Sequence, residues 1–342
     1  MLNIGVIGAG YWGPNLIRNL GVSNRARVKM CADLDTGRLA HMSEVYPHVR
    51  TTQNYREILE DPEITAVAIA TPVSTHYKLA MDALQARKHV FVEKPLAQSS
   101  EQCMELAQLA TQRNLVLMVG HTFVYTAAVN KIRDLVQSGD LGEILYINST
   151  RVNLGVFQPD INVIWDLAPH DLSIMNYILD ARPERVAAHG RSYIRPGIED
   201  VAFVDLEYPN RIIANIHVSW LDPCKIRRTT VVGSKKMLVY DDVSSLEKIR
   251  VYDKGVTVPP HYDSFGEFKL SYRYGDMLAP RLDEVEPLKV ECRHFLDCIE
   301  QHQRPRSSAE DGLAVVRALE ASSESLRDAG RLVDVAYPVF RD

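Results

Sequence analysis

Cysteine is scarce in this sequence and follows no ligand pattern. The 342 residues carry five cysteines (Cys31, Cys103, Cys224, Cys292 and Cys298). Their number is odd and no pair has C-x2-C spacing, which argues against a disulfide framework and against zinc or redox motifs. Cys292 and Cys298 point to different faces of an expected helix, so no local bridge is predicted, and the plain reading is reduced thiols in a cytoplasm. Long apolar runs are missing too, none approaching the roughly 18 residues of a membrane span. The opening MLNIGVIGAG lacks the basic stretch of a secretory signal. There is no block of basic residues: Lys plus Arg is 39 against 44 Asp plus Glu, a formal charge of −5. Nothing here forms the electrostatic footprint of a nucleic-acid binder, and no partner of that kind and no membrane is expected. Internal repeats and low-complexity tracts are likewise absent.

What remains is an ordinary globular composition, 46% hydrophobic and 24% charged, long enough for about two domains with cores of their own. In the first 120 residues short β-rich runs alternate with helical patterns: Leu2 to Ile7, Val28 to Ala32, Ala66 to Ala70, Val90 to Val92 and Val116 to Val119. That rhythm predicts an α/β fold with a doubly wound parallel sheet. Ser99 followed by Gln102 reads as a capping box opening one of the helices. After Gly120 a helix striped by Val129, Ile132, Leu135 and Val136 leads into successive strand-like runs, predicting a second, α+β domain on an open, mostly antiparallel sheet. The expected division is 1–121 and 122–342. The stretch from Gly255 to Pro287 reads as irregular chain able to cover a site, followed by two helices.

The strongest local motif is Gly8-Ala9-Gly10-Tyr11-Trp12-Gly13, between an apolar strand and a helix, which is the context a dinucleotide fingerprint requires. Gly8 permits the turn, Gly10 lets a pyrophosphate approach the backbone and Gly13 lets the helix pack closely. Asp33 stands 20 residues beyond Gly13 at the end of the next strand. There a carboxylate accepts bonds from ribose hydroxyls and repels a 2′-phosphate, which favours NAD over NADP; a helix cap is its plainer reading. Arg38 softens that preference if it reaches back.

Glu93-Lys94-Pro95 follows the run Val90 to Val92, at the carboxyl edge where open α/β sheets bind ligands. A lysine beside a cationic nicotinamide is placed to bond a substrate hydroxyl and relay its proton. Asp166 and His170 lie four apart and share a face on a helical segment, a pairing suited to proton transfer at a hydroxyl. The other histidines, including His41, His48, His189 and His302, show no ligand spacing, so no catalytic metal is predicted. Ser219-Trp220-Leu221-Asp222-Pro223 with Lys225, Arg227 and Arg228 fits two readings, a contact to a nucleotide diphosphate or an interface. Tyr262, Tyr272 and Tyr274 fit two readings, aromatic platforms for a sugar ring or, the commoner case, ordinary surface tyrosines.

These features together resemble the Gfo/Idh/MocA family of oxidoreductases, whose hallmarks are the amino-terminal fingerprint and the Glu-Lys-Pro tripeptide. Thr71-Pro72 through His76 is similar to the family's Thr-Pro loop, Gly120-His121 to the end of its sixth strand, and Asp166-Leu167-Ala168-Pro169-His170 to its Asp-x3-His segment. The resemblance implies a Rossmann domain joined to an open sheet whose outer face builds homodimers or homotetramers. It implies NAD held by Gly8, Gly10, Tyr11, Trp12, Gly13, Asp33, Thr71, Pro72, His76, Glu93, Lys94 and His121. Lys94 is then the catalytic lysine, His170 the acid/base, and Asp166 a partner of substrate or of His170. Where many members carry a Gly-rich run, this chain has Asn162-Val163-Ile164-Trp165, and Trp165 is expected to line the sugar pocket.

The implied activity is hydride transfer between nicotinamide and a secondary alcohol, C3, of a sugar, nucleotide sugar or glycoside. Inositol oxidation or keto-sugar reduction is the nearest alternative. A non-catalytic NAD sensor and a transient-redox glycosidase stand further off.

Overall fold

The structure, a computed structural model, describes residues 1–158, 160–257 and 271–338. The early alternation resolves into β1 (Leu2–Ile7), α1 (Gly13–Gly21), β2 (Ala26–Ala32), α2 (Thr36–Val45), β3 (Arg50–Thr52), α3 (Arg56–Glu60), β4 (Ile64–Ile69), α4 (Val73–Gln85), β5 (His89–Glu93), α5 (Ser100–Arg113) and β6 (Leu117–Gly120). The six strands form one sheet in the order β3-β2-β1-β4-β5-β6, parallel throughout. Strands buried on both faces need unbroken apolar runs; Ala66 to Ile69 of β4 and Val90 to Val92 of β5 are at most 1% exposed. Strand order reverses between β1 and β4, the switch point at which such sheets receive ligands at their carboxyl ends.

The chain continues through α6 (Ala127–Gln137), β7 (Ile144–Val152), α7 (Val163–Leu179), β8 (Arg185–Arg191), β9 (Val201–Glu207), β10 (Ile213–Ser219), β11 (Ile226–Gly233), β12 (Met237–Asp241), β13 (Ile249–Thr257), β14 (Ser271–Leu278), α8 (Pro287–Gln301), α9 (Ala309–Arg327) and β15 (Val333–Asp334). Among the described residues nine strands make a second sheet, ordered β14-β13-β12-β11-β7-β10-β9-β8-β15. Its pairings are antiparallel except for β7 with β10. Side chains alternate across it. Ala202, Val204 and Leu206 of β9 and Ala214, Ile216 and Val218 of β10 are buried, whereas Tyr146, Phe203 and Ile213 are exposed.

The expectation of irregular chain from Gly255 to Pro287 is corrected here: β13 runs to Thr257 and β14 pairs with it. The prolines within the described part of that stretch lie outside the strands, Pro280 beyond β14 and Pro287 at the start of α8. Ladder pairing with β13 overrides the stretch's average polarity.

The chain divides into two units, Met1–Thr126 with Val285–Glu320, and Ala127–Glu284 with Ala321–Asp342. The observed units differ from the division expected at residues 121 and 122 in two respects: 122–126 stay with the first unit, and 285–320 returns to it. The cause of the return is the apolar stripe of α8, in which Leu288, Cys292, Phe295, Leu296 and Ile299 are buried. Phe295 meets Phe91 of β5 with ring centroids 5.8 Å apart. Arg25 adds ion pairs to Asp297 at 2.7 Å and Glu300 at 2.6 Å. Helix α9 contributes its first turns to this unit and the rest to the other.

At the start of α5, Ser99 Oγ accepts the Gln102 amide at 3.3 Å, while the Gln102 side chain accepts from Gln98 N rather than closing the box on Ser99. Ser99→Ala is expected to cost about 1 kcal/mol, measured as a lower urea midpoint at unchanged slope.

Candidate active site

In the first unit the fingerprint loop joins β1 to α1. Gly8 has φ +102°, and an added Cβ would lie 2.4 Å from Ala70 O; one on Gly13 would lie 2.0 Å from Gly8 O. Packing therefore demands both glycines. Gly10 differs, because a Cβ there would meet only Arg38 Nη1 at 3.6 Å. The protein has room for a side chain at Gly10, so its absence serves something that approaches the backbone from outside. Helix α1 begins with no side-chain cap and no acidic residue in its first turn, and Pro14 occupies a position with no N–H to lose. Its free amides and positive dipole end are suited to a pyrophosphate. Tyr11 (81% exposed) and Trp12 (38%) flank that end, their rings edge to face at 5.4 Å.

Asp33 braces this loop, Oδ2 accepting the Ala9 amide at 2.6 Å and Oδ1 the Asp35 amide at 2.9 Å. The cap of α2 is Asp35, which accepts from Gly37 N and Arg38 N, so the plainer reading of Asp33 falls to its neighbour. Arg38 does reach back, with Nη1 3.8 Å from Asp33 Oδ2.

Thr71 and Pro72 lead from β4 into α4, tied by Thr75 Oγ1 to Thr71 Oγ1 and Pro72 O. His76 lies behind them, 1% exposed, with Nδ1 2.8 Å from Pro95 O and Nε2 2.8 Å from Thr71 O. Both ring nitrogens are spent on backbone carbonyls, so its part at this edge is to tie the Thr71 and Pro95 loops together. Burial, helped by the Lys94 charge, pushes its pKa down against the pull of the two carbonyls.

Lys94 follows the last residue of β5, half-buried, in a cluster that the sequence reading met only in part. Glu93 is buried, with its carboxylate against Gly120, where a Cβ would fall 3.0 Å from Oε2. Burial pushes its pKa up to about 7 although Lys94 pulls the other way. His121 is buried and pushed down to about 3 by desolvation and by Lys94, so its imidazole is neutral. Among the described residues neither ring nitrogen of His121, nor Glu93 Oε1, has a hydrogen-bond partner.

Glu291 on α8 belongs with them. It is fully buried and accepts from Thr122 Oγ1 at 2.7 Å, and burial, then the Glu93 charge, raises its pKa well above the carboxylate range. Sequence reasoning missed Glu291. The available signal was a carboxylate inside the apolar stripe of an amphipathic helix.

In the second unit Asn162 Oδ1 caps α7 by accepting Trp165 N at 3.2 Å. Asp166 and His170 follow at helical spacing, both half-buried. Asp166 Oδ2 accepts Trp220 Nε1 at 3.0 Å, and Trp165 Nε1 donates to Ser323 Oγ at 2.9 Å. Trp220 is 1% exposed and packs on Phe157, so it serves as a buried strut for Asp166 and offers no surface to a diphosphate. Arg227 and Arg228 pair with Asp242 and Asp241 at 3.5 and 3.7 Å. Tyr272 and Tyr274 stack 6.4 Å apart on exposed strand β14, and Tyr262 lies outside the described residues. Lys94 thus belongs to one unit and the Asp166–His170 face to the other. Among the described residues no cluster of His, Cys, Asp and Glu is placed to hold a metal, and no helix is long and apolar enough to cross a membrane.

Comparison with known proteins decides the class. Residues 2–121 match the oxidoreductase family with an NAD-binding Rossmann fold, and residues 129–239 match the GFO/IDH/MocA C-terminal domain. The chain belongs to the Gfo/Idh/MocA family. It is an oxidoreductase and its cofactor is NAD.

Among this oxidoreductase's relatives, UDP-N-acetylglucosamine 3-dehydrogenase of Acidithiobacillus ferrooxidans is 29% identical over 263 residues, covering 76% of this chain and 77% of that protein. The solved structure of an enzyme of that name and organism superposes with TM-score 0.79 at 25% identity, covering 96% of this chain and 98% of the other. Myo-inositol 2-dehydrogenase of Thermotoga maritima is 25% identical over 345 residues, covering 96% of this chain and 97% of that protein. The residues present fit NAD on the structure's own terms, through the side-chain-free approach at Gly10, the uncapped α1 and the two orphaned nitrogens of buried His121.

Two outcomes are expected. Gly10→Ala should melt as the wild type does yet bind NAD about tenfold more weakly, whereas Gly13→Ala should lose stability; fluorescence titration and thermal melts separate the two. For Glu93 the folded pKa of about 7 exceeds the ordinary 4.5. Its stabilising contribution is therefore complete below the unfolded pKa and lost as pH rises through the folded one. The melting temperature of Glu93→Gln should fall less than that of the wild type between about pH 5 and about pH 8. Equal falls would show Glu93 ionising without hindrance.

Proposed function

We propose that this protein is an NAD-dependent dehydrogenase acting on a secondary alcohol, C3, of a pyranose carried as a nucleotide sugar or glycoside. The observation that carries the reading is Lys94, placed at the carboxyl end of β5 in the sheet whose first turn forms the cofactor cradle. Support for proton handling comes from α7, which bears a carboxylate and an imidazole one turn apart.

Gly10 and the uncapped start of α1 would hold NAD, which would supply the hydride chemistry when bound. We assign Lys94 to hydrogen-bond the reacting hydroxyl, and His170 to take up its proton on oxidation or return it on reduction. We assign Asp166, held at one oxygen by the Trp220 indole, as a partner of substrate or of His170. Thr71, Pro72, Glu93 and His121 shape the nicotinamide end, Asp33 the ribose end, and His76 supports the loops from behind. Trp165 is assigned to the sugar pocket wall. The C3 position and the nucleotide handle follow the Acidithiobacillus relative. The near full-length match to the Thermotoga enzyme favours a second reading, an inositol as substrate. The cofactor-binding domain is assigned to 1–121 with the returning segment 285–320 packed on it, and the substrate domain to the remainder of 122–342. The exposed Tyr146, Phe203 and Ile213 of the second sheet support assembly into a homodimer or homotetramer, and the scattered thiols support a cytoplasmic setting.

The test offers NAD with UDP-N-acetylglucosamine, free glycosides and myo-inositol, following reduced nicotinamide by absorbance. Signal is expected from the UDP-sugar, and Lys94→Ala should lower kcat by about 100-fold or more while the NAD Kd moves by less than about threefold. Signal from myo-inositol alone would establish the second reading. Silence in both directions, with NAD still bound tightly, would leave a sensor.

A further inference from the structure

His170 can serve only if α7 holds a single rotation, and its apolar contacts do little to impose one. Val163, Ile164, Ala168, Pro169, Leu172, Ile174, Met175 and Ile178 are all buried. Such broad apolar contact distinguishes neighbouring rotations and axial positions weakly, because the hydrophobic effect is non-directional. Pro169 further removes a helical N–H just before His170.

Against this background Asp171 carries a charge into the core. It is 2% exposed, as Arg151 of β7 is 4% exposed. Arg151 Nε donates to Asp171 Oδ2 at 2.7 Å and Nη2 donates to Oδ1 at 3.2 Å. Ser149 Oγ donates to Oδ1 at 2.8 Å and lies 3.1 Å from Thr229 Oγ1 of β11. Desolvation opposes the Arg151 charge, yet the field and hydrogen bonds of Asp171 outweigh it and raise the guanidinium pKa.

A buried pair of this kind is a weak source of stability, since apolar residues of similar volume often match or exceed it. What the fork does supply is direction: two parallel bonds fix both the distance and the plane of the carboxylate. Asp171 follows His170 directly, so fixing Asp171 on β7 fixes the direction in which His170 leaves the helix.

We infer that the Arg151–Asp171 pair is a positioning device, setting the rotation and axial register of α7 on β7 and with it the aim of His170 and Asp166. This rests on the proton-handling role proposed for His170.

The test compares the wild type with Arg151→Met/Asp171→Leu, Asp171→Glu and His170→Ala. The double variant replaces the pair with apolar bulk; Asp171→Glu keeps both charges and shifts one by a methylene. The His170 imidazole, assigned by its absence in His170→Ala, is titrated by NMR, which needs no substrate. Turnover is then read with UDP-N-acetylglucosamine and myo-inositol. The double variant is expected to fold and melt near the wild type and to bind NAD normally. Its His170 titration midpoint should move by about 0.5 pH or more, and its kcat should fall at least about tenfold with little change in KM.

Asp171→Glu should do the same to a smaller degree, and it decides the matter if the double variant does not fold. A folded variant with wild-type His170 titration and wild-type kcat would overturn the proposal. If instead His170→Ala kept full turnover, the proton-handling reading would fail and this inference with it. A damaging His170→Ala beside an innocuous double variant would sink the positioning role alone.

Discussion

In the cofactor half two glycines meet with no room for a side chain between them. Gly13 sits so near Gly8 O that the first turn of α1 lies directly against the end of β1, with no atom to spare. That approach brings the uncapped amides of α1 to the carboxyl edge of the sheet, next to the switch point between β1 and β4. Asp33 fastens the loop through the Ala9 amide, and the parallel strands carry the same edge outward to Glu93 at the end of β5, just before Lys94, and to Gly120 on β6. The position of each later group along that edge is measured from this turn. A methyl group at Gly13 would displace the reference point itself, whereas one at Gly10 would obstruct only what binds there.

The groups on that edge share one electrostatic setting. Lys94 is the local cation, and its buried neighbours respond to it in opposite senses. It draws the Glu93 carboxyl down against a larger desolvation effect, and it adds to desolvation in pushing down the pKa values of His121 and His76. Glu291, brought in by α8, places a second buried carboxyl near Glu93 and makes full ionisation of both costly. The result is a low-dielectric floor in which burial pushes the two carboxyls toward their neutral forms. Such a floor strengthens the interaction of Lys94 with any polar group that enters from above.

What was legible in the sequence was what is local in the chain. Gly8, Gly10 and Gly13 announce themselves by spacing within one turn, Asp33 by its distance from them, and Lys94 by following a strand. Asp166 and His170 share a helix face by arithmetic alone. Residues whose meaning depends on a distant partner stayed hidden. Glu291 gains its role from Thr122 and Glu93, Arg151 from Asp171, and Trp220 from Asp166, none of them neighbours in sequence. Strand β14 was hidden for the same reason, since its only warrant is the ladder with β13. The return of 285–320 to the first unit followed from an apolar stripe whose docking surface was built almost the whole chain earlier.

The two units solve the placement of reactive groups by different means. In the first, steric exclusion does the work: glycines without space for a methyl, and a histidine clamped between two carbonyls, leave the backbone one arrangement. In the second, α7 rests on a sheet through broad apolar contact, and direction comes from polar bonds along it, among them those of Trp165, Asp166, Asp171, Asn176 and Tyr177. Steric exclusion tolerates no change of size, whereas directional bonding tolerates change wherever the bond is kept. Substitutions around the cofactor turn are therefore constrained by volume. Those around α7 are constrained by hydrogen-bond geometry.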